Sequence, residues 1–498
     1  MSFNLTDQDQ LTLRIAAWDA VSLMSAAGAA GSAHKVATEG SIALTSATGL
    51  VGHILAKAPK GVRYGRTVAE LADQVLPALT ASMSLLRQQA PEEAGNFRRT
   101  VLVAVDAATR THQGQSSPIL AEMARKITEA LDAAPDASGQ DRPELQRILQ
   151  EMIDSGFVGV TLRVNDEHGE WTATAGTAEL GGTEAVPIDG HVRIGSNTKT
   201  FTATAVLQLV AEGRIALDTP VADYLPEFGL DPRITVRMLL QHTSGLFNFT
   251  GEYYEDGTFA PGIPATTAGR EWVDHRLHTY RPEDLVRLAL SKPARFEPGT
   301  DWSYANTNYV LARLLIERVT GRPVAEEMQR LIIGPLGLTG TLQPTTETDI
   351  PAPHPHAYYR YETDGQEIVL DVTEHNPSWI SSGGDMISTS RDLHTFITAL
   401  LAGKLLPADL LAEMCTPEAK AGYGLGVFIQ PAPGGGTLIT HNGGMAGHAA
   451  LMYATPDGST TLTATLNYID DATLSMGAAF QQANQQLIQA VFGHGQAE

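Results

Sequence analysis

One cysteine, Cys415, stands in a chain of 498 residues. No disulfide can form within the chain, and with no activating partner nearby in sequence the thiol reads as a small apolar residue rather than a nucleophile. Positive charge is also scarce. Lys and Arg number 34 against 56 Asp and Glu, a formal net charge of −22, and no basic block occurs anywhere. That balance argues against binding DNA, RNA or an anionic membrane surface. No uninterrupted apolar run is long enough to span a bilayer. The opening Met1-Ser-Phe-Asn-Leu-Thr-Asp-Gln-Asp-Gln lacks the basic start, apolar stretch and small-residue cleavage site of an export signal, so a cytoplasmic location is expected. His34, His53 and His112 show no metal-ligand spacing, and no metal or organic cofactor is implied.

What the chain does contain is globular: 43% apolar and 18% charged residues. Its length exceeds one ordinary core. Residues 1–132 read as an all-helical N-terminal domain, with Val68, Leu71, Val75, Leu79, Met83 and Leu86 at spacings of three and four. Further helical runs lie near Leu11–Ala26, His34–Ala56, Pro91–Ala108 and Pro118–Leu131. Their Ala and Gly content would allow close helix approach, or fit the surface of a protein partner or a second copy. No chemistry can be assigned to them. Residues 133–142 have the composition of a linker.

A second domain, 143–498, opens with an amphipathic helix from Pro143 to about Asp154, followed by strand-like runs Phe157–Val164 and Glu170–Ala175. Strand patterns return late, at Gly424–Ile429, Thr437–His441, Ala449–Tyr453 and Thr460–Asn467, and a helix over about Leu474–Phe492 ends the domain. Helices at both ends with strands beside each predict an α+β fold, one antiparallel sheet with helices on both faces. Gly251–Tyr280, rich in Gly, Pro and aromatics, has the composition of a long loop bordering a cleft.

The chemistry concentrates at Arg193-Ile-Gly-Ser196-Asn-Thr-Lys199-Thr-Phe201. If a helix starts at or just before Ser196, Lys199 stands one turn along on the same face. The hydroxyl then sits where helix N-terminal amides favour developing negative charge. A partly dehydrated lysine loses proton affinity and can accept the serine proton, which gives a nucleophile and its base from four consecutive residues. The pattern is short, and Ser32-Ala-His-Lys35 matches it with no catalytic company. What distinguishes Ser196 is Tyr304-x-Asn306 and then His441-x-Gly443 downstream.

In order and spacing these three motifs resemble those of the serine β-lactamase and DD-peptidase superfamily. Tyr304 and His441 are similar to the class C β-lactamase and soluble D-alanyl-D-alanine carboxypeptidase branch. The likeness extends through Glu212-Gly-Arg-Ile-Ala-Leu-Asp, Ile234-Thr-Val-Arg, His242-Thr-Ser-Gly-Leu246 and Thr320-Gly, covering roughly Pro143–Phe492. It implies a β-lactamase/transpeptidase-like sheet flanked by helices, with a helical subdomain. It implies catalytic roles for Ser196 as nucleophile, Lys199 and Tyr304 in proton transfer, and His441 as a polar or cationic wall on an edge strand. Asn306 would hold Lys199 and the substrate amide, and the backbone N–H groups of Ser196 and Gly444 would bind the oxyanion. Gly443, Trp379 and Phe428 complete the expected substrate-binding set, and His448 is expected near the cleft or at the surface.

Two departures bear on substrate. In the carboxypeptidase branch an arginine closely follows the Tyr-Gly-Leu-Gly stretch, whereas Tyr423-Gly-Leu-Gly-Val-Phe428-Ile-Gln430 offers no cation. That branch typically reads His-Thr-Gly-Thr where this chain reads His441-Asn-Gly-Gly444. A free carboxylate would lose its charge-assisted partners. The resemblance therefore implies a serine hydrolase or acyltransferase that forms a covalent acyl-enzyme with an ester, amide, thioester or D-amino-acid peptide. A D-alanyl-D-alanine carboxypeptidase or β-lactamase is the alternative. From another class, the alternative is an acyl-ligand-binding scaffold recruited through the N-terminal helices.

Overall fold

The computed structural model describes residues 7–27, 38, 41, 43–45, 49–56, 68–110, 118–132, 142–254, 256–263 and 269–493. The Ser32–Lys35 match, His34, His112 and most of the linker lie outside the described residues. The chain divides into two compact units, Met1–Gly139 and Gln140–Glu498.

The first unit contains helices α1 (Asp7–Ala27), α2 (Gly49–Leu55), α3 (Val68–Gln89), α4 (Pro91–Arg110) and α5 (Pro118–Asp132). Their apolar stripes meet in one core that includes Leu13, Val75, Leu79, Met83, Phe97, Val101 and Ile127. Long-range hydrogen bonds support the packing: Arg14 Nε donates to the Ile54 carbonyl at 2.7 Å and Thr80 Oγ1 to the Ala130 carbonyl at 2.9 Å. His53 is exposed on α2.

The second unit begins with α6 (Pro143–Asp154), opened by a proline whose missing N–H costs a helix nothing in its first turn. Its principal strands are β1 (Phe157–Asp166), β2 (Gly169–Gly176), β3 (Tyr358–Thr363), β4 (Gln366–Asp371), β5 (Phe428–Pro431), β6 (Thr437–Met445), β7 (His448–Ala454) and β8 (Thr461–Asp471). They form one eight-stranded sheet in the order β2-β1-β8-β7-β6-β5, with the β3–β4 hairpin joined to the far end of β8. All pairings are antiparallel except β8 with β3, where Ile469 to Asp471 run parallel to Tyr358 to Arg360. That hairpin is absent from the expected strands, although Asp364-Gly365, both at positive φ, forms the kind of two-residue turn that marks one.

Strand parity assigns the two faces. His441, Met452, Thr463 and Arg163 lie opposite one another across β6, β7, β8 and β1, so they share a face. Helix α11 (Ser390–Leu401) covers that face, and Thr463 Oγ1 donates to its Ser390 carbonyl at 2.8 Å. Also packed on this side are α7 (Thr198–Ala211), α8 (Val236–Gln241), α9 (Pro282–Leu290) and α10 (Asn306–Thr320), whose apolar residues make up the main core. Asn442 and Tyr453 point to the other face, where α6 packs against α12 (Gly477–Phe492) and Asn484 of α12 reaches the Tyr453 hydroxyl at 2.8 Å. Within Gly251–Tyr280, expected as loop, Glu252–Tyr253 pairs with Phe259–Ala260 and a helix spans Arg270–His275. Among the described residues no helix is long and apolar enough to cross a membrane.

Candidate active site

Ser196 lies in a short 3-10 turn, Gly195–Asn197, that runs into α7 at Thr198. The nucleophile candidate therefore precedes the α-helix by one residue, and Lys199 occupies the helix's first turn. Two glycines make this placement possible. Gly195 has φ +51°, and a Cβ on it would lie 2.5 Å from the Gly444 nitrogen. A Cβ on Gly443 would lie 2.1 Å from the Ile194 carbonyl oxygen and 2.4 Å from the Ser196 nitrogen. The nucleophile turn and β6 thus touch backbone to backbone.

Lys199 is 0% exposed. Its Nζ donates to Asn306 Oδ1 at 2.8 Å and to the Gly383 carbonyl at 2.6 Å, and lies 3.1 Å from Ser196 Oγ. It also sits 4.7 Å from the centre of the Tyr304 ring. Burial holds its proton affinity well below that of an ordinary lysine, with only the Asp385 carboxylate pulling the other way. The amine is therefore suited to working as a free base near neutral pH.

Burial acts on Tyr304 in the opposite sense. The phenol is pushed above its ordinary range, and its hydrogen bond with Ser196 offsets only part of that. It stays protonated and can donate. His242 holds it in place from behind. That residue ends α8 at φ +63°, its ring lies 4.3 Å from the Tyr304 ring, and its Nδ1 accepts from the Ala305 N–H at 3.2 Å. Asn306 is braced by Asn248 and Thr250: its N–H donates to Asn248 Oδ1 at 3.0 Å and its Nδ2 to Thr250 Oγ1 at 3.2 Å.

His441 departs from two expectations. The edge strand is β5, not β6, although β5 covers β6 only from Thr437 to Thr440 and leaves the edge open beyond that point. The imidazole is also not cationic. Burial, and then Lys199, hold its pKa at about 3. The Asn442 carbonyl can only accept, so Nδ1 (2.9 Å away) carries the proton, and Nε2 accepts from the Tyr423 hydroxyl at 3.0 Å. His448 is neither at the surface nor a free polar group in the cleft. It is fully buried, its Nε2 donating to the Pro355 carbonyl at 3.0 Å.

A two-residue turn, Ala446-Gly447, links β6 to β7, so Met445 and His448 close the ladder as a hydrogen-bonded pair. Alternation along β6 then turns the Gly444 N–H away from β7, toward Gly195 and Ser196. The Ser196 and Gly444 amides meet at the mouth of a cleft of about 520 Å³. Its lining includes Ser196, Tyr304, Phe428, His441, Gly443 and Gly444, together with Ala449, Leu451, Tyr468, Phe480 and Asn484. None of the lining side chains is a carboxylate, a lysine or an arginine. Trp379 is not among them; it is half-buried against the main core. Cys415 is half-buried against the same core, and burial pushes its thiol up to about 11, which makes it a poor nucleophile.

Sequence reasoning missed Asp385, Gln343, Arg313 and the supporting role of His242. The His242-Thr-Ser-Gly-Leu246 stretch was visible only as a flank. Asp385 sits in Ser381-Ser-Gly-Gly-Asp-Met386, which carried no recognised chemistry. Among the described residues no cluster of three or more His, Cys, Asp or Glu is arranged to hold a metal ion.

Comparison with known proteins places this geometry. Residues 145–481 match the Beta-lactamase family. A D-stereospecific amidohydrolase from Streptomyces sp. superposes with a TM-score of 0.61 at 38% identity, over 71% of this chain and 99% of that one. A putative penicillin-binding protein of Bacillus subtilis (strain 168) is 28% identical over 59% of this chain. Esterase EstB of Burkholderia gladioli is 33% identical over 42% of this chain. The chain spans 66% and 52% of the length of these two curated relatives. With the match covering most of the second unit, and a relative of 38% identity covered along nearly its whole length, the chain belongs to the β-lactamase family of serine hydrolases.

Proposed function

We propose that this protein hydrolyses amides or esters that carry no free carboxylate, with D-configured amides the leading class, through an acyl-enzyme on Ser196. The observation that carries the reading is the three-way hydrogen bonding of a buried, proton-poor Lys199 to Ser196, Asn306 and the Gly383 carbonyl. In the first step Ser196 Oγ attacks the substrate carbonyl carbon while its proton passes to Lys199 Nζ. Charge on the carbonyl oxygen develops between the Ser196 and Gly444 amides. The intermediate collapses as Tyr304 gives its hydroxyl proton to the leaving amine or alkoxide and is re-protonated from Lys199. Water then repeats the sequence on the acyl-enzyme, with the same groups moving the proton in reverse.

Two features support a substrate without a free carboxylate. The cleft lining carries no side chain to pair with a free carboxylate, and Phe428 and Gln430 stand where the carboxypeptidase branch has a cation. The D-stereospecific amidohydrolase relative supports a D-configured amide as donor. Turnover of D- and L-phenylalanine p-nitroanilide, a p-nitrophenyl ester and a chromogenic cephalosporin tests the reading. The D-anilide and the ester should be cleaved, with the L-anilide and cephalosporin left. Efficient cephalosporin hydrolysis without ester cleavage would point instead to a β-lactamase.

A further inference from the structure

The Lys199 amine is held by a loop that the proposed mechanism does not yet use. Gly383, whose carbonyl makes the shortest bond to Lys199, lies in Ser381-Ser382-Gly383-Gly384-Asp385. Ser382 adopts φ +51°, a left-handed conformation that a serine does not take without support. The support is visible. Asp385, 1% exposed, accepts from the Ser382 N–H at 2.8 Å, and Gln343 Nε2 donates both to Asp385 Oδ1 at 3.3 Å and to Ser382 Oγ at 2.9 Å. Thr202 on α7 donates to the Ser382 carbonyl at 2.9 Å, and Arg313 on α10 binds the Ser381 hydroxyl.

We propose that Asp385 is a positioning residue for Lys199: it holds the strained loop that presents the Gly383 carbonyl, and it is the counter-charge for the lysine whenever that amine carries the serine proton. The proposal rests on the reading of Lys199 as the proton acceptor of Ser196. Among the described residues, the groups facing Lys199 are the Tyr304 and Tyr309 rings and the neutral His242 and His441, and Asp385 is the carboxylate whose charge acts on it. Facing Asp385 are Lys199, Arg313 and Arg193. Burial raises the Asp385 carboxyl to about 6, so it is ionised across the neutral range where the amine works.

The direction follows from the charges. An anion beside the ammonium favours the protonated lysine, so removing it releases the free base at lower pH. In Asp385→Asn the acid limb of the single-turnover acylation rate, followed with a p-nitrophenyl ester, should move down by about one pH unit. In Asp385→Glu, which keeps the charge, the limb should stay. Arg313→Gln removes the cation that favours ionised Asp385, so the carboxyl takes up its proton at higher pH and the limb should move down as in Asp385→Asn, which serves as the test if Asp385→Asn does not fold. A lowered plateau with the limb of Asp385→Asn unmoved, or an unmoved limb in Arg313→Gln, would mean that the loop only packs, and overturns the proposal. Absence of any Ser196 acylation in the unaltered protein removes the parent reading and this proposal together. Acylation with unmoved limbs removes this proposal alone.

Discussion

Adding one methyl group at Gly443 tests how the oxyanion site is built. The new Cβ would lie 2.1 Å from the Ile194 oxygen, 2.4 Å from the Ser196 nitrogen and 2.8 Å from the Gly195 carbonyl carbon, all backbone atoms that no rotamer change can move. Restoring a separation of 3.0 Å to the nearest one requires β6 and the nucleophile turn to part by about 0.9 Å. A displacement of that size in a reacting constellation lowers the rate by about 100-fold, or ~2.7 kcal/mol of barrier. The strain itself destabilises the fold by about 1–3 kcal/mol. Gly444→Ala is the control. Its Cβ would meet only the His448 carbonyl oxygen and the Tyr468 hydroxyl, each at 3.7 Å, an ordinary contact, and the Gly444 N–H is kept. Stopped-flow acylation by a p-nitrophenyl ester, with thermal melting in parallel, reads both effects. Gly443→Ala should lose about 100-fold in acylation and Gly444→Ala less than about fivefold. Equal rates for the two variants would refute the backbone-contact argument.

Tyr304→Phe should retain a burst of p-nitrophenyl ester cleavage, because that leaving group needs no proton, while steady-state turnover falls by about 10²–10⁴-fold as deacylation loses the phenol that relays the water proton; an unchanged ratio of burst to steady state counts against that role. His448 is neutral in the fold because burial lowers its pKa to about 3, whereas in the unfolded chain it titrates near the ordinary ~6.5. The unfolded state therefore binds more protons between those values, and stability falls as pH drops through that window, by about 1 kcal/mol per pH unit for this group. Urea unfolding of His448→Gln at pH 7 and pH 5 should show a loss smaller than that of the unaltered protein by about 1–2 kcal/mol. Identical losses would contradict the buried neutral imidazole.

The parts of the site that were readable in advance are those whose chemistry is local. Ser196 and Lys199 are one helical turn apart, so their 3.1 Å contact needs no tertiary information. The start of helix α6 was likewise legible, because Pro143 marks it and four apolar residues repeat along one face. What could not be read depends on which backbones meet. Gly195 and Gly443 are far apart in sequence, and only the register of β6 against the nucleophile turn reveals why neither can carry a side chain. Part of the cleft lining comes from α12, whose Phe480 and Asn484 occupy a helix expected only as the end of the domain. Whether His441 is polar or cationic stayed open because a histidine near a cleft usually meets water. Here Tyr423 and the Asn442 carbonyl take both ring nitrogens inside a dry interior. Asp385 was invisible for a related reason: its partners Ser382, Gln343 and Arg313 come from three separate elements.

The central claim is that Ser196 becomes covalently acylated with Lys199 as its base. Intact-protein mass spectrometry after a fluorophosphonate or a slowly released acyl ester, followed by peptide mapping, reads this directly. The account predicts one adduct, on the peptide containing Ser196, absent in Ser196→Ala and strongly slowed in Lys199→Met, with both variants folded. An adduct on another residue, or full labelling of folded Ser196→Ala, would contradict it.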